Sequence, residues 1–431
     1  MIEIPENPRE KALLIGVKLP DSTMSEEEAN LRELEALARS AGADVSGSII
    51  QQMTRINGST YIGKGKLEEV RGTVRREGIN LVIFDDVLSP AQGARIEKIL
   101  DLNVLDRTEI ILDIFSRRAR SKQARIQVEI AQLTYALPRL KRLWDHLSRQ
   151  AGGIGTRGPG EKQLEVDRRR VRERIGRLKK ELERITRGTR ERRKGRRDAF
   201  NVTIVGYTNA GKSTLLNRIA GSEVRQSRML FSTLDSTTRK VEGLGSRDCL
   251  FTDTIGFIRK LPPNLVASFK STLMDVKEAD LLLHVVDLSA PGVQERIGVV
   301  NGVLGDIFDS GEQKRDIPTW LIMNKTDRLE DDQLELFRRR YPGGIFVSAA
   351  EGAGIALMME RIEGFLKGDR VEIEIEVPLS EGKTIAMVEA AGEVTGREVK
   401  GKTLVLTAMV SRRRLPALEK KGKVRVNLSG G

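Results

Sequence analysis

Asn201-Val-Thr-Ile-Val205 runs directly into Gly206-Tyr-Thr-Asn-Ala-Gly211-Lys212-Ser213, and Thr214–Ala220 then carries helical spacing. A strand, a loop of the form GxxxxGK[ST] and a helix in immediate succession build a cradle for nucleotide phosphates. The glycines let the chain wrap so that main-chain N–H groups point inward, and the helix N-terminus adds its positive end. Gly206, Tyr207, Thr208, Asn209, Ala210, Gly211, Lys212, Ser213 and Thr214 are therefore the expected phosphate-side contacts. In this pattern the Lys212 ammonium reaches the β and γ phosphates, where it stabilises their charge, and the Ser213 hydroxyl serves Mg²⁺.

Three further elements follow in order, each leaving a strand-like run. Cys249-Leu-Phe-Thr252 ends in Asp253-Thr-Ile-Gly256. A carboxylate at that strand end serves Mg²⁺, and the Gly256 N–H can sense a γ-phosphate. Thr319–Met323 delivers Asn324-Lys325-Thr326-Asp327, and Ile345–Val347 leads into Ser348-Ala349-Ala350. The Asp327 carboxylate can accept from guanine N1–H and its exocyclic amine, while the backbone of 348–350 can meet guanine O6. Adenine offers no matching donor pair and would leave that carboxylate unsatisfied. The ordered set specifies GTP over ATP; DxxG alone would specify nothing.

The chain has 431 residues, enough for two or three domains, with 39% hydrophobic and 31% charged residues. Its apolar runs, such as Ala279–Val286, are far shorter than a bilayer span requires. The first residues lack the basic and apolar regions of a secretory signal. One cysteine and two histidines exclude a disulfide framework and argue against a zinc site. A cytoplasmic protein is expected, acting as a monomer, with any association with ribosomes or a membrane surface left open.

Formal charge is +13, but Arg117–Asp198 holds 27 Lys/Arg against 10 Asp/Glu, so the rest of the chain is net −4. That segment is a candidate polyanion-binding surface; a solvated face would mix the signs more evenly. It also carries heptad seams, with Ile126, Leu133, Leu140 and Leu147 interleaved with Ile130, Leu137 and Trp144. A second seam contains Leu164, Val171, Leu178 and Ile185, interleaved with Ile175 and Leu182. The two predict an antiparallel helical hairpin, broken or kinked at Pro138. Its tip, Ala151–Glu161, contains five glycines and is longer than a plain connector needs. Candidate RNA contacts are Arg149, Gly153, Gly155, Arg157, Gly158, Gly160, Lys162, Arg168, Arg169 and Arg170.

Residues 1–116 alternate strand and helix patterns. Strands are expected at Ala12–Leu19, Val45–Met53, Leu81–Phe84 and Val104–Leu105. Helices are expected at Ser25–Ala41 (capped by Ser25 with Glu28), Lys66–Glu77 and Ala91–Leu100. The tail predicts strands at Val371–Val377, Lys402–Met409 and Val424–Leu428, with a helix at Thr384–Ala391.

The whole resembles a translational-type P-loop GTPase, and more narrowly the HflX family. The narrower likeness rests on Gly153-Ile-Gly-Thr-Arg-Gly-Pro-Gly-Glu-Lys-Gln-Leu-Glu-Val-Asp-Arg-Arg-Arg170 and on Leu230-Phe-Ser-Thr-Leu-Asp-Ser-Thr-Thr-Arg239. It implies GTP hydrolysis coupled to the large ribosomal subunit and its rRNA, in ribosome splitting or rescue. It also implies a switch I segment in which Phe231 and Ser232 flank the nucleotide and Thr233 completes the Mg²⁺ shell, with Thr237 and Thr238 as rivals. Asn209 stands where related GTPases hold K⁺; it either does so here or braces the loop.

The fold class is thus α/β: a P-loop GTPase domain at 199–368, preceded by a small α/β domain (1–116) and the basic hairpin (117–198), and followed by an α+β appendage (369–431). Phe257 stands where Ras-like enzymes carry a water-orienting glutamine. A phenyl ring cannot orient water, so the catalytic group is not readable and slow intrinsic hydrolysis is expected, accelerated on docking. The alternative is an RNA-binding scaffold with GTP as a structural ligand. Cys249, His146 and His284 read as structural. Tyr61-Ile-Gly-Lys-Gly-Lys66 is a weak candidate for a second nucleotide or an RNA contact.

Overall fold

The computed structural model describes residues 10–140, 159–194, 199–221, 230–231, 234–242, 248–260, 274–309, 317–368, 370–411, 415–419 and 423–427. Arg149, Gly153, Gly155, Arg157, Gly158, Ser232, Thr233 and His146 lie outside the described residues.

Three sheets organise the chain. The first comprises β1 (Lys11–Lys18), β2 (Asp44–Gln52), β3 (Leu81–Phe84) and β4 (Asn103–Asp106), all parallel in the order β2-β1-β3-β4. Helices α1 (Met24–Ser40), α2 (Lys64–Glu77) and α3 (Pro90–Leu100) connect them. Covered faces explain why β3 is buried at every position. The N-cap of α1 is Thr23, whose side chain accepts from the Glu26 N–H while Glu26 reaches back. The expected Ser25–Glu28 box is displaced by two residues, because Thr23-x-x-Glu26 is an equally good match.

Beyond β4 lies α4 (Arg107–Arg118), a helix the sequence reading leaves unassigned, although Asp106-x-x-Glu109 forms its capping box. Next come α5 (Lys122–Ala136) and the 36-residue α6 (Pro159–Lys194). The α5 helix gives way to a 3₁₀ turn at Leu137–Arg139, where Pro138 removes a backbone donor. Ile126 and Ile130 pack on Leu178, with Leu133, Leu182 and Ile185 around them. Lys122 pairs with Glu181 at 2.6 Å and Glu129 with Arg174 at 2.8 Å, so the helices run antiparallel. Because α6 begins at Pro159, the end of the expected tip, including Gly160, is helical, and Lys162 lies in its first turns. Arg168, Arg169 and Arg170 follow along it.

The second sheet is six-stranded, built from β5 (Phe200–Gly206), β6 (Thr237–Val241), β7 (Cys249–Asp253), β8 (Leu281–Asp287), β9 (Thr319–Asn324) and β10 (Ile345–Phe346). Its order is β10-β9-β8-β5-β7-β6, parallel except for β6. Around it stand α7 (Lys212–Ile219), α8 (Met274–Lys277), α9 (Val293–Asp309), α10 (Asp331–Arg340) and α11 (Ile355–Gly368). One apolar core crosses from the first sheet's helices into this domain: Phe115 meets Phe231 edge-on at 4.7 Å.

The third sheet contains β11 (Arg370–Pro378), α12 (Gly382–Ala391), β12 (Gly392–Lys400), β13 (Thr403–Ser411), α13 (Leu415–Glu419) and β14 (Lys423–Asn427). Its antiparallel order β12-β13-β11-β14 with a βαββαβ sequence is the ferredoxin-like arrangement. The sequence reading omits β12, whose glycines at 392 and 396 and a register shift between Val394 and Gly396 blur the strand pattern. Among the described residues no helix is long and apolar enough to cross a membrane.

Candidate functional site

The second sheet delivers its loops to one edge. β5 ends at Gly206, and Asn209 follows with φ +61°, turning the loop toward α7. Gly211 has φ +96°, and a Cβ there would lie 2.2 Å from Asn324 Nδ2, so glycine is required. Asn324, at the end of β9, is almost fully buried. Its Nδ2 donates to the Ala210 carbonyl at 2.8 Å, while the Ala349 N–H donates to its Oδ1 at 3.0 Å. The predicted contact residue is thus a tie between the phosphate loop and the 348–350 loop, its amide engaged on both sides.

Lys325 stands at φ +67° with its ammonium on the Asn209 carbonyl at 2.9 Å and on Asp287 Oδ2 at 2.6 Å. Asp327 Oδ1 accepts from the Ser348 hydroxyl at 2.6 Å. Arg218 of α7 donates to the carbonyls of Ala349 and Ala350. Three loops far apart in sequence are thereby locked into one cradle.

Lys212 is buried and its ammonium donates to the Tyr207 carbonyl at 3.1 Å. Burial lowers its pKa, and the nearby Asp253 opposes that shift. Ser213 Oγ donates to Asp253 Oδ2 at 2.6 Å, and Thr214 follows in the first turn of α7. A hydroxyl and a carboxylate converging at the loop's base are hard oxygen donors that fit a Mg²⁺ arriving with its phosphates. Thr237 and Thr238 lie in β6, where the Thr238 and Thr252 hydroxyls are 3.0 Å apart. Both are strand residues beside Asp253.

Gly256 lies flat on the phosphate loop. A Cβ there would be 2.7 Å from Thr208 Cα and 3.0 Å from Lys212 Nζ. The next residue, Phe257, is buried and bridges the loop: its N–H donates to the Gly206 carbonyl at 3.1 Å, and the Thr208 N–H donates to its carbonyl at 2.7 Å. The Phe231 N–H donates to Thr208 Oγ1 at 3.2 Å. Phe231 and Phe257, far apart in sequence, therefore both touch the loop through Thr208.

Sequence reasoning misses the partners from the first domain. The Tyr207 hydroxyl donates to Glu33 of α1 and accepts from the Arg259 N–H at 2.9 Å. Lys260 Nζ meets Asp85 Oδ2 at 2.6 Å and Asp86 Oδ1 at 2.5 Å. Burial alone would lower the Lys260 pKa, but the two carboxylates outweigh it and raise it. Nothing in local spacing announces the contacts to Glu33, Asp85 and Asp86, because each joins residues more than 170 positions apart.

Elsewhere, Cys249 is a core residue whose thiol pKa burial pushes up to about 12. The Tyr61 loop is closed by protein contacts, with the Gly63 N–H on Gln51 Oε1 at 2.9 Å and Tyr61 edge-on to Phe84.

A strand–loop–helix phosphate cradle joined to DxxG, NKxD and SAA loops at one sheet edge defines a P-loop GTPase. Family models agree along the chain: residues 28–116 match the GTP-binding GTPase N-terminal region, 118–196 its middle region and 201–325 the 50S ribosome-binding GTPase domain. The chain belongs to the HflX family and is a GTP-hydrolysing enzyme. It is 41% identical to GTPase HflX of Caldanaerobacter subterraneus over 94% of this chain and 91% of that one. To GTPase HflX of Escherichia coli K12 it is 41% identical over 87% of each. A GTP-binding protein of Sulfolobus solfataricus, solved with GDP, is 24% identical with a TM-score of 0.42, covering 83% of this chain and 99% of that one.

Proposed function

We propose that this GTPase acts on the large ribosomal subunit, in ribosome splitting or rescue, and that its nucleotide state controls how the basic hairpin engages rRNA. The observation that carries this reading is the antiparallel α5–α6 hairpin, which holds most of the chain's positive excess on a rod tied to the switch side of the site. The tie is direct: Asp235 accepts from the N–H groups of Arg120 and Ser121 at 3.2 and 3.0 Å, where α5 begins. The match of residues 201–325 to a domain described as 50S ribosome-binding supports the same partner.

In this reading the amides of 206–214 and Lys212 hold the phosphates, and Ser213, Asp253 and Thr233 serve Mg²⁺, which would offset phosphate charge when bound. Gly256, Phe231 and Ser232 flank the γ-phosphate side. Asn324, Lys325, Asp327 and residues 348–350 form the guanine side. Asn209 takes K⁺ or braces the loop through its contact with Lys325. The working units are 1–116, 117–198, 199–368 and 369–431. Arg168, Arg169 and Arg170, with Arg149, Gly153, Gly155, Arg157, Gly158, Gly160 and Lys162 of the tip, meet RNA phosphates.

A second reading rests on Phe257, whose buried ring cannot orient water: an RNA-binding scaffold in which GTP is chiefly a structural ligand and hydrolysis is slow. Phosphate release with and without purified large subunits separates them. Strong stimulation supports a ribosome-coupled enzyme, whereas a low rate unchanged by subunits supports the scaffold.

A further inference from the structure

We propose that the Tyr207 hydroxyl is a positioning group that sets the balance between GTP and GDP, by clamping the segment Gly256–Arg259 to the phosphate loop with Glu33 of the first domain as its anchor. The proposal rests on the GTPase activity and not on the ribosomal reading.

The geometry is a three-way junction. Tyr207 is the second residue of the phosphate loop and is buried. A phenol has one proton to give and lone pairs to receive, and both uses are occupied: it donates to Glu33 and accepts from the Arg259 N–H at 2.9 Å. The Arg296 guanidinium sits 4.9 Å from the ring centre and fixes the ring plane. Glu33 is itself held by Arg107, a nearly inaccessible side chain that also pairs with Asp85. The acceptor is therefore rigid.

The clamp holds Gly256–Phe257 close against the phosphate loop, on the side where a γ-phosphate would enter. Gly256 leaves no room beside the loop, since a Cβ on it would fall 2.7 Å from Thr208 Cα and 3.0 Å from Lys212 Nζ, and the Thr208 N–H is occupied by the Phe257 carbonyl. Lys212 spends its ammonium on the Tyr207 carbonyl. To receive a γ-phosphate, Lys212 must turn outward and Gly256–Phe257 must draw back. Arg259 lies two residues along, so any such movement pulls on its bond to Tyr207. A β-phosphate draws Lys212 outward for either nucleotide, so what separates GTP from GDP is the movement of Gly256–Phe257. The hydroxyl thus stabilises the GDP-compatible pose, and its removal shifts preference toward GTP.

The test uses the full chain with Tyr207→Phe, which keeps the ring and its cation contact and deletes both hydrogen bonds. Affinities for GDP and for a non-hydrolysable GTP analogue are measured by calorimetry. A hydrogen-bond contribution of ordinary size predicts that the analogue-to-GDP affinity ratio rises about fivefold to tenfold. KM for GTP should fall by a similar factor while kcat changes less. Glu33→Gln, which lies outside the loop, should move the ratio in the same direction, and the double variant should add little to Tyr207→Phe. A merely structural hydroxyl would lower thermal stability and leave the ratio untouched. An unchanged ratio, or fully additive single effects, overturns the proposal. Should Tyr207→Phe fail to fold, Glu33→Gln alone decides: an unmoved ratio sinks the idea.

Discussion

The Ser348 hydroxyl donates to Oδ1 of Asp327 at 2.6 Å and fixes the carboxylate of the Asn324–Asp327 loop. Asp327→Asn should lower GTP affinity by roughly 100-fold, because an acceptor is replaced by an amide that meets guanine's donors with its own. Titration with GTP and with xanthosine triphosphate checks it: the variant should bind the second at least as well as the first.

Asn324 ties the phosphate loop to the 348–350 loop. Asn324→Ala leaves the Ala210 carbonyl and the Ala349 N–H without their partner in a buried place, costing roughly 2–4 kcal/mol in all. Urea unfolding should show that loss without nucleotide, and GTP binding should weaken because the two loops lose their tie.

Stability should fall in mild acid. His284 is buried in β8, and burial, reinforced by Lys212, lowers its pKa to about 4. The unfolded chain takes up this proton near the ordinary histidine value, so between about pH 6.5 and 4 the unfolded state binds more protons. Stability is then intact above that window and lost as pH falls through it, by about 2 kcal/mol from pH 7 to pH 5. Comparing chemical denaturation at those two pH values in wild type and His284→Leu tests this; the variant should show a shallower loss.

The basic rod should bind RNA through phosphates. Replacing Arg168, Arg169 and Arg170 with Ala should weaken large-subunit binding across all salt concentrations and reduce the slope of log K against log salt by up to about 3. GTP affinity should not change. Sedimentation over a salt series provides the measurement.

Gly211→Ala should abolish nucleotide binding. A methyl group at φ +96° would press on Asn324 Nδ2 and break the tie between loops. A loss of binding with the melting temperature lowered by several degrees is the expected pair of results.

The ferredoxin-like sheet shows where sequence patterns thin out. Residues 370–431 contain no aromatic side chain, and β11 alternates buried Ile373 and Ile375 with Glu372, Glu374 and Glu376. The alternation revealed β11, but two glycines hid β12. Capping signals are similarly ambiguous: Thr23–Glu26 and Ser25–Glu28 both satisfy the rule, and the first is the pair that caps α1.

The chain's motifs alone marked the expected nucleotide site, because each rests on a short local requirement: glycines where the backbone must turn or approach closely, a lysine and a hydroxyl at fixed offsets, a carboxylate suited to guanine. Heptad spacing likewise determined the hairpin. Tertiary structure alone decided that Glu33, Asp85 and Asp86 hold Tyr207 and Lys260, and that Asn324 ties the phosphate loop to the 348–350 loop. Such contacts join residues distant along the chain, and their partners are chosen by how the two domains pack, which no local spacing encodes.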